Sequence, residues 1–315
     1  MNTKELKESI KEIKERKNAL ILGHYYLEDD LQEISDYVGD SLALSRQAQK
    51  CDKNIIVFCG VHFMAETAKI LNPSCKVLLP DMGADCSLAQ SCEAVAFEKF
   101  KKEHPDHIVI SYINCSSKIK ALSDIICTSG NAEKIVASLP ENQKIIFAPD
   151  KNLGDYINRK TGRKMVLWDG VCKVHDKLRL EDVKKMRDKY PQAKVITHPE
   201  CGRDVVEESD FVGSTKAMLD YIGYSGARQF VVATERGIKY EMQRLYPDYD
   251  FIMLPSNDKC GCANCDYMKL NTLEKLYNCL SKETPEIIME DSLMRQARVP
   301  IERMLDISRQ LGLVK

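Results

Sequence analysis

The chain has 315 residues, with 46 lysines and arginines against 47 aspartates and glutamates, a formal net charge of -1 and 44% hydrophobic residues. That balance removes any bulk electrostatic drive toward nucleic acid or an anionic membrane surface, and no apolar run approaches the length of a membrane-spanning helix. The charged, amphipathic start over residues 1–17 lacks the apolar centre of a secretion signal, so the expected location is the cytoplasm, where the 13 cysteines stay mostly reduced.

Leu6, Ile10 and Ile13 fall at helical spacing among lysines and glutamates, which predicts an amphipathic first helix. The apolar run 19–22 leads into Gly23-His24-Tyr25-Tyr26. Gly39-Asp40-Ser41 then opens a helical stretch over 42–50, followed by an apolar run at 55–58, a helix at 65–71 and a run at 77–79. Strands that are apolar on both faces and alternate with helices predict a parallel sheet covered on both sides.

The same order returns twice. A helix over 94–102 precedes a strand at 108–112, Thr128-Ser129 opens a helix through Leu139, and strands follow at 145–147 and 165–167. A helix over 181–189 then precedes a strand at 195–198, Ser214-Thr215 opens another helix, and strands at 230–233 and 251–254 complete the set. Copies at a period of about 87 residues predict an α/β chain of three pseudo-threefold-related, three-layer α/β/α domains with short parallel sheets around a central site. The expected units are 1–84, 85–170 and 171–285, and the helical tail 286–315 is expected to pack back on the first.

Aligning the copies turns the fold into a site. Ser41, Ser129 and Thr215 are separated by 88 and then 86 residues, each a hydroxyl at an expected helix start. His24, Tyr112 and His198 repeat that spacing at the ends of first strands, as do Tyr26, Asn114 and Glu200 two residues later. Taken singly, the hydroxyls are ordinary N-caps and the histidines structural. As matched sets beyond the carboxyl ends of parallel strands they read as an anion pocket with donors, acceptors and a candidate base.

A cysteine loop follows the last strand of each copy: Cys86, Cys172, and one of Cys260, Cys262 or Cys265. Thiols from three units suit a metal centre better than a disulfide. The two choices are zinc with an outside ligand, or an iron–sulfur cluster with one iron lacking a protein thiolate. An open metal site would act as a Lewis acid on a substrate oxygen. The residues themselves therefore lead to metal-assisted chemistry on a small anionic substrate.

Several segments in order are specific enough to name a family: Gly23-His-Tyr-Tyr26, Gly39-Asp-Ser41, Gly60-Val-His-Phe-Met-Ala-Glu-Thr67, Tyr112-Ile-Asn114, Thr128-Ser-Gly-Asn131, Pro149-Asp-Lys-Asn-Leu153, His198-Pro-Glu-Cys201, Gly213-Ser-Thr215 and Cys265-Asp-Tyr-Met268. Along nearly its whole length the sequence resembles the quinolinate synthase family. That resemblance implies a cytoplasmic enzyme of NAD biosynthesis that condenses iminoaspartate with dihydroxyacetone phosphate to give quinolinate, phosphate and water, with an aspartate-oxidising enzyme as a transient partner.

The resemblance further implies a [4Fe–4S] cluster on Cys86, Cys172 and Cys265. It makes His24, Ser41, Tyr112, Asn114, Ser129, His198, Glu200 and Thr215 substrate-pocket groups, with Glu200, Tyr26 and His198 moving protons. Cys260 and Cys262 are left as spare thiols or a reversible disulfide, and Cys201 is a rival ligand. His62, His104, His107 and His175 have no partners in the repeat and are expected to be surface or core residues. The rival functions are a three-cysteine iron–sulfur hydro-lyase acting on a hydroxy acid, and a metal-binding regulator without catalysis.

Overall fold

The computed structural model describes residues 1–256 and 263–313. Its strands form three four-stranded sheets. The first holds β1 (Ala19–His24), β2 (Tyr37–Gly39), β3 (Ile55–Cys59) and β4 (Lys76–Leu78) in the order β2-β1-β3-β4. The second repeats that order with β5 (Ile108–Tyr112), β6 (Ile125–Cys127), β7 (Ile145–Ala148) and β8 (Val166–Leu167) as β6-β5-β7-β8. The third does so with β9 (Lys194–Thr197), β10 (Phe211–Val212), β11 (Gln229–Ala233) and β12 (Asp250–Met253) as β10-β9-β11-β12.

Every named strand pair is parallel, and helices connect the strands, as the apolar runs predict. β3 and β7 are buried at every residue because helices cover both faces. The strands draw on Ile and Val, whose branched side chains suit a pleated surface.

Each sheet carries an edge strand of two or three residues that the periodicity does not predict. It is held by a repeated pair of residues. Asp36, Asp124 and Asp210 each accept the backbone N–H of a residue on the neighbouring first strand, Ile21 at 2.8 Å, Val109 at 2.7 Å and Val195 at 2.8 Å. Each also returns its own N–H to that residue's carbonyl at 2.9 Å. The serines before them, Ser35, Ser123 and Ser209, each donate to a carbonyl four residues back at 2.7 Å, closing the preceding helix.

The sheets are not separate bodies. One apolar core runs from Leu6 and Ile21 through Ile110 and Phe147 to Val195, Val231 and Met304. The chain returns to the first sheet where Ile287 donates to Val77 O at 2.8 Å. The terminal helix Asp291–Gln310 then lies mainly along the helix Ser117–Leu122 and strand β6 of the second unit, touching the helix His62–Leu71 of the first at one side. Its buried stripe of Ala297, Ile301, Met304 and Leu305 spans that seam, so it joins two units instead of covering the first alone.

Candidate active site

The carboxyl ends of all three sheets open on one cavity. His24, Tyr26, Ser41, Tyr112, Asn114, Ser129, His198, Glu200 and Thr215 line it together with Cys86, Cys172 and Cys265. All the residues picked out by the repeat spacing therefore meet at one place.

Backbone geometry explains how. His24 closes β1, and its Nδ1 accepts the N–H of Tyr26 at 3.2 Å; His198 follows β9, and its Nδ1 accepts the N–H of Glu200 at 3.4 Å. An accepting Nδ1 leaves the proton on Nε2, so each ring is a neutral donor. Burial is the main cause that lowers both histidines to about 3, with Glu200 opposing it in each case. The His198 Nε2 reaches Ser129 Oγ at 3.3 Å.

The hydroxyl set is arranged differently from the expected row of caps. Asp40 and Ser214, one residue earlier, cap the helices Ser41–Lys50 and Thr215–Tyr224, leaving the hydroxyls of Ser41 and Thr215 free of that role. Ser129 precedes its helix, which begins at Ala132 behind Asn131. The Asn131 side chain instead accepts the Thr128 N–H at 2.6 Å and turns the chain early. Asn114 Oδ1 and Thr128 Oγ1, both at the cavity, are buried without a hydrogen-bond partner among the described residues, as a pocket shaped for a polar ligand requires.

Glu200 is the centre of the polar network. Tyr112 OH donates to its Oε1 at 2.5 Å, and His175 Nδ1 stands 2.9 Å from Oε2. His175 Nε2 meets Thr234 Oγ1 at 2.8 Å, and Tyr26 OH meets the same Oγ1 at 2.8 Å. A continuous chain thus runs Tyr26–Thr234–His175–Glu200–Tyr112. Burial alone would raise Glu200, but the His175 and His198 rings and the Tyr112 hydroxyl outweigh it and hold the carboxyl well below its usual range. Burial, reinforced by the Glu200 charge, raises Tyr26 and Tyr112 well above the ordinary tyrosine value, so both stay protonated.

Residues 8–306 match the family described as Quinolinate synthetase A protein (NadA). The chain is 55% identical over 300 residues to the quinolinate synthase of Synechocystis sp. (strain ATCC 27184 / PCC 6803 / Kazusa), covering 95% of this chain and 94% of that one. It is 54% identical over 306 residues to the quinolinate synthase of Chloroherpeton thalassium (strain ATCC 35110 / GB-78), covering 97% and 95%. The chain belongs to the quinolinate synthase A family.

Three thiols and a Cys-His-Glu group at the cavity are candidate metal ligands. Burial is the main cause that raises Cys86 to about 12, Cys265 to about 11 and Cys172 well above the ordinary value. Charge on Cys265 adds to the shift of Cys86, and charge on Cys86 to that of Cys172. Cys86, Cys172 and Cys265 are half-buried and face one cavity, and thiols with raised values become thiolates beside a strong cation such as a metal. Cys172 Sγ, a His175 nitrogen and a Glu200 oxygen also lie within 4.8 Å of one another, so this group could itself hold a metal ion.

Cys201 is buried with its Sγ directed at Ala233 O, 3.5 Å away, and does not line the cavity. Cys260 and Cys262 lie outside the described residues.

His175, expected to be a surface or core residue, is buried and lines the cavity. It sits there because the turn His175–Lys177 directly follows the Cys172 loop. The sequence carried a signal for it in Cys172-Lys-Val-His175, a spacing typical of paired ligands, although no copy repeats it. Thr234 and Glu235, beyond the end of β11, were also missed; Thr234 continues the chain to Tyr26 and Glu235 lines the cavity.

Proposed function

We propose that this chain is a cytoplasmic quinolinate synthase, a condensing transferase of NAD biosynthesis. It joins iminoaspartate to dihydroxyacetone phosphate and releases quinolinate, phosphate and water. The observation that carries the proposal is that thiols from three units line the same cavity as the hydroxyl set and Glu200.

Ser41, Ser129 and Thr215, with the free Thr128 hydroxyl, bind the carboxylates and the phosphate. They are helped by the amino ends of the helices Ser41–Lys50 and Thr215–Tyr224. His24 and His198, neutral with Nε2–H facing the ligand, hydrogen-bond substrate oxygens without adding charge. Asn114 Oδ1 accepts an N–H or O–H of the substrate.

Glu200, held as a carboxylate, anchors the proton relay as an acceptor, and its oxygens are occupied by Tyr112 and His175. It therefore exchanges protons with substrate through a hydroxyl partner. The route through His175 and Thr234 ends at the Tyr26 hydroxyl, which gives and takes the proton during enamine–imine tautomerisation. Cys86, Cys172 and Cys265 would hold a [4Fe–4S] cluster, whose iron without a protein thiolate supplies Lewis acidity for dehydration.

Incubating anaerobically purified, iron-loaded protein with iminoaspartate and dihydroxyacetone phosphate tests the proposal, with quinolinate as the expected product. An intact metal centre with no quinolinate would overturn it. A hydro-lyase would dehydrate a hydroxy acid and make no quinolinate, and a regulator would turn over neither.

A further inference from the structure

The turn that carries Tyr26 is clamped by groups outside the catalytic cavity. Gly237 packs so closely on it that a Cβ there would stand 2.8 Å from Leu27 O and 2.8 Å from the Tyr26 carbonyl carbon, so a side chain has no room. Gln32, buried behind the turn, directs its amide nitrogen to Tyr25 O at 3.0 Å, Leu27 O at 2.9 Å and Gly237 O at 2.8 Å.

Lys269 closes the clamp from the opposite unit. It lies on the short turn Met268–Leu270 that follows Cys265. Its Nζ donates to Tyr26 O at 2.8 Å, stands 3.2 Å from Glu235 Oε1 and 3.6 Å from Glu28 Oε1, and does not line the cavity. Three acceptors thus face the three N–H bonds of one ammonium. Glu235, fully buried, also accepts the N–H of Cys265 at 3.3 Å and of Gly237 at 2.6 Å. The ammonium therefore ties the Tyr26 turn of the first unit to the Cys265 loop of the third.

We infer that Lys269 is a positioning residue that fixes the backbone of Tyr26 so that its hydroxyl meets Thr234; the reaction it serves rests on the quinolinate synthase reading. A side chain pivots on its backbone, so releasing the Tyr26 carbonyl displaces the hydroxyl at the far end. Displacement of a reacting group by about 1 Å costs on the order of 100-fold in rate.

The test is a double-mutant cycle between Lys269→Met and Tyr26→Phe, with iron content and thermal midpoint measured alongside kcat and KM for quinolinate formation. In the native background Lys269→Met is expected to lower kcat on the order of 100-fold with iron retained, and Lys269→Arg to recover most of it. In the Tyr26→Phe background the same substitution should cost less than about threefold, because the group it positions is gone. Equal losses in both backgrounds, or loss of iron with Lys269→Met, would overturn the inference. Should Lys269→Met not fold, Lys269→Gln removes the ion pair while keeping an N–H donor, and its cycle reads the same coupling.

A crystal structure of the folded variant decides the matter without turnover, so that failure of the positioning role is separable from failure of the assigned reaction. A Tyr26 hydroxyl drawn away from Thr234 supports the role, and an unmoved one removes it.

Discussion

Two sets of residues share the same spacing of 88 and 86 in this chain, yet they differ in one respect. At the edge strands, the Ser-Asp pairs at 35–36, 123–124 and 209–210 are identical in all three copies and make the same bonds. At the cavity, the corresponding strand ends read His24-x-Tyr26, Tyr112-x-Asn114 and His198-x-Glu200. The Ser-Asp pairs perform one task three times, each within its own sheet. The strand ends face a single cavity from three directions, where a ligand without threefold symmetry presents a different group to each.

The contrast predicts that cavity positions are not interchangeable and edge positions are, and the largest effect belongs to the proposed metal centre. Cys265→Ser is expected to lose bound iron and all quinolinate formation, while Cys260→Ser and Cys262→Ser keep the iron; iron analysis and absorbance decide it. Glu200→Gln should retain iron and substrate binding while turnover falls on the order of 10³-fold. Near-normal turnover would remove Glu200 from proton transfer and with it the sharpest difference between the copies.

His24 gives a pH-dependent effect. Its folded value is lowered, chiefly by burial, to about 3 from 6.5. Below 6.5 the unfolded chain therefore binds a proton that the folded chain refuses, and stability is lost as pH falls toward 3. Near pH 5 this is about 2 kcal/mol, so His24→Gln should flatten the fall in thermal midpoint between pH 7 and pH 5.

The smallest effects lie at the edges. Asp36→Ala, Asp124→Ala and Asp210→Ala should each cost about 1–3 kcal/mol of stability at pH 7 and leave kcat unchanged. Burial raises Asp210, but the Val195 N–H and the Lys194 and Arg187 cations together lower it below its ordinary value. Its contribution is therefore complete above about pH 4 and is lost as pH falls through the lower folded value. Markedly unequal costs among the three would break the equivalence of the edges.

Much of this was legible in the chain because apolar runs and helix starts recur at a fixed period, and a repeat that positions one copy positions all. The site positions followed from the same spacing, except that Cys265 was singled out from Cys260 and Cys262 by the family resemblance, and each of them lines the cavity. What escaped has physical reasons. Edge strands of two or three residues are too short for any hydrophobic period; the Ser-Asp pairs marked them, but by side-chain bonding to a neighbouring strand. His175 and Thr234 occur in one unit alone, so a search for matched positions passes over them. The early turn at Thr128 depends on Asn131 accepting a backbone N–H, a bond that spacing does not encode.

The division of the thiols among three units also orders events during synthesis of the chain. Cys86 and Cys172 leave the ribosome well before Cys265, and the cavity exists only once the third unit has docked on the others. A chain truncated before Cys265 presents at most two of the three thiols, so loading of the proposed metal centre would report that the whole chain has folded.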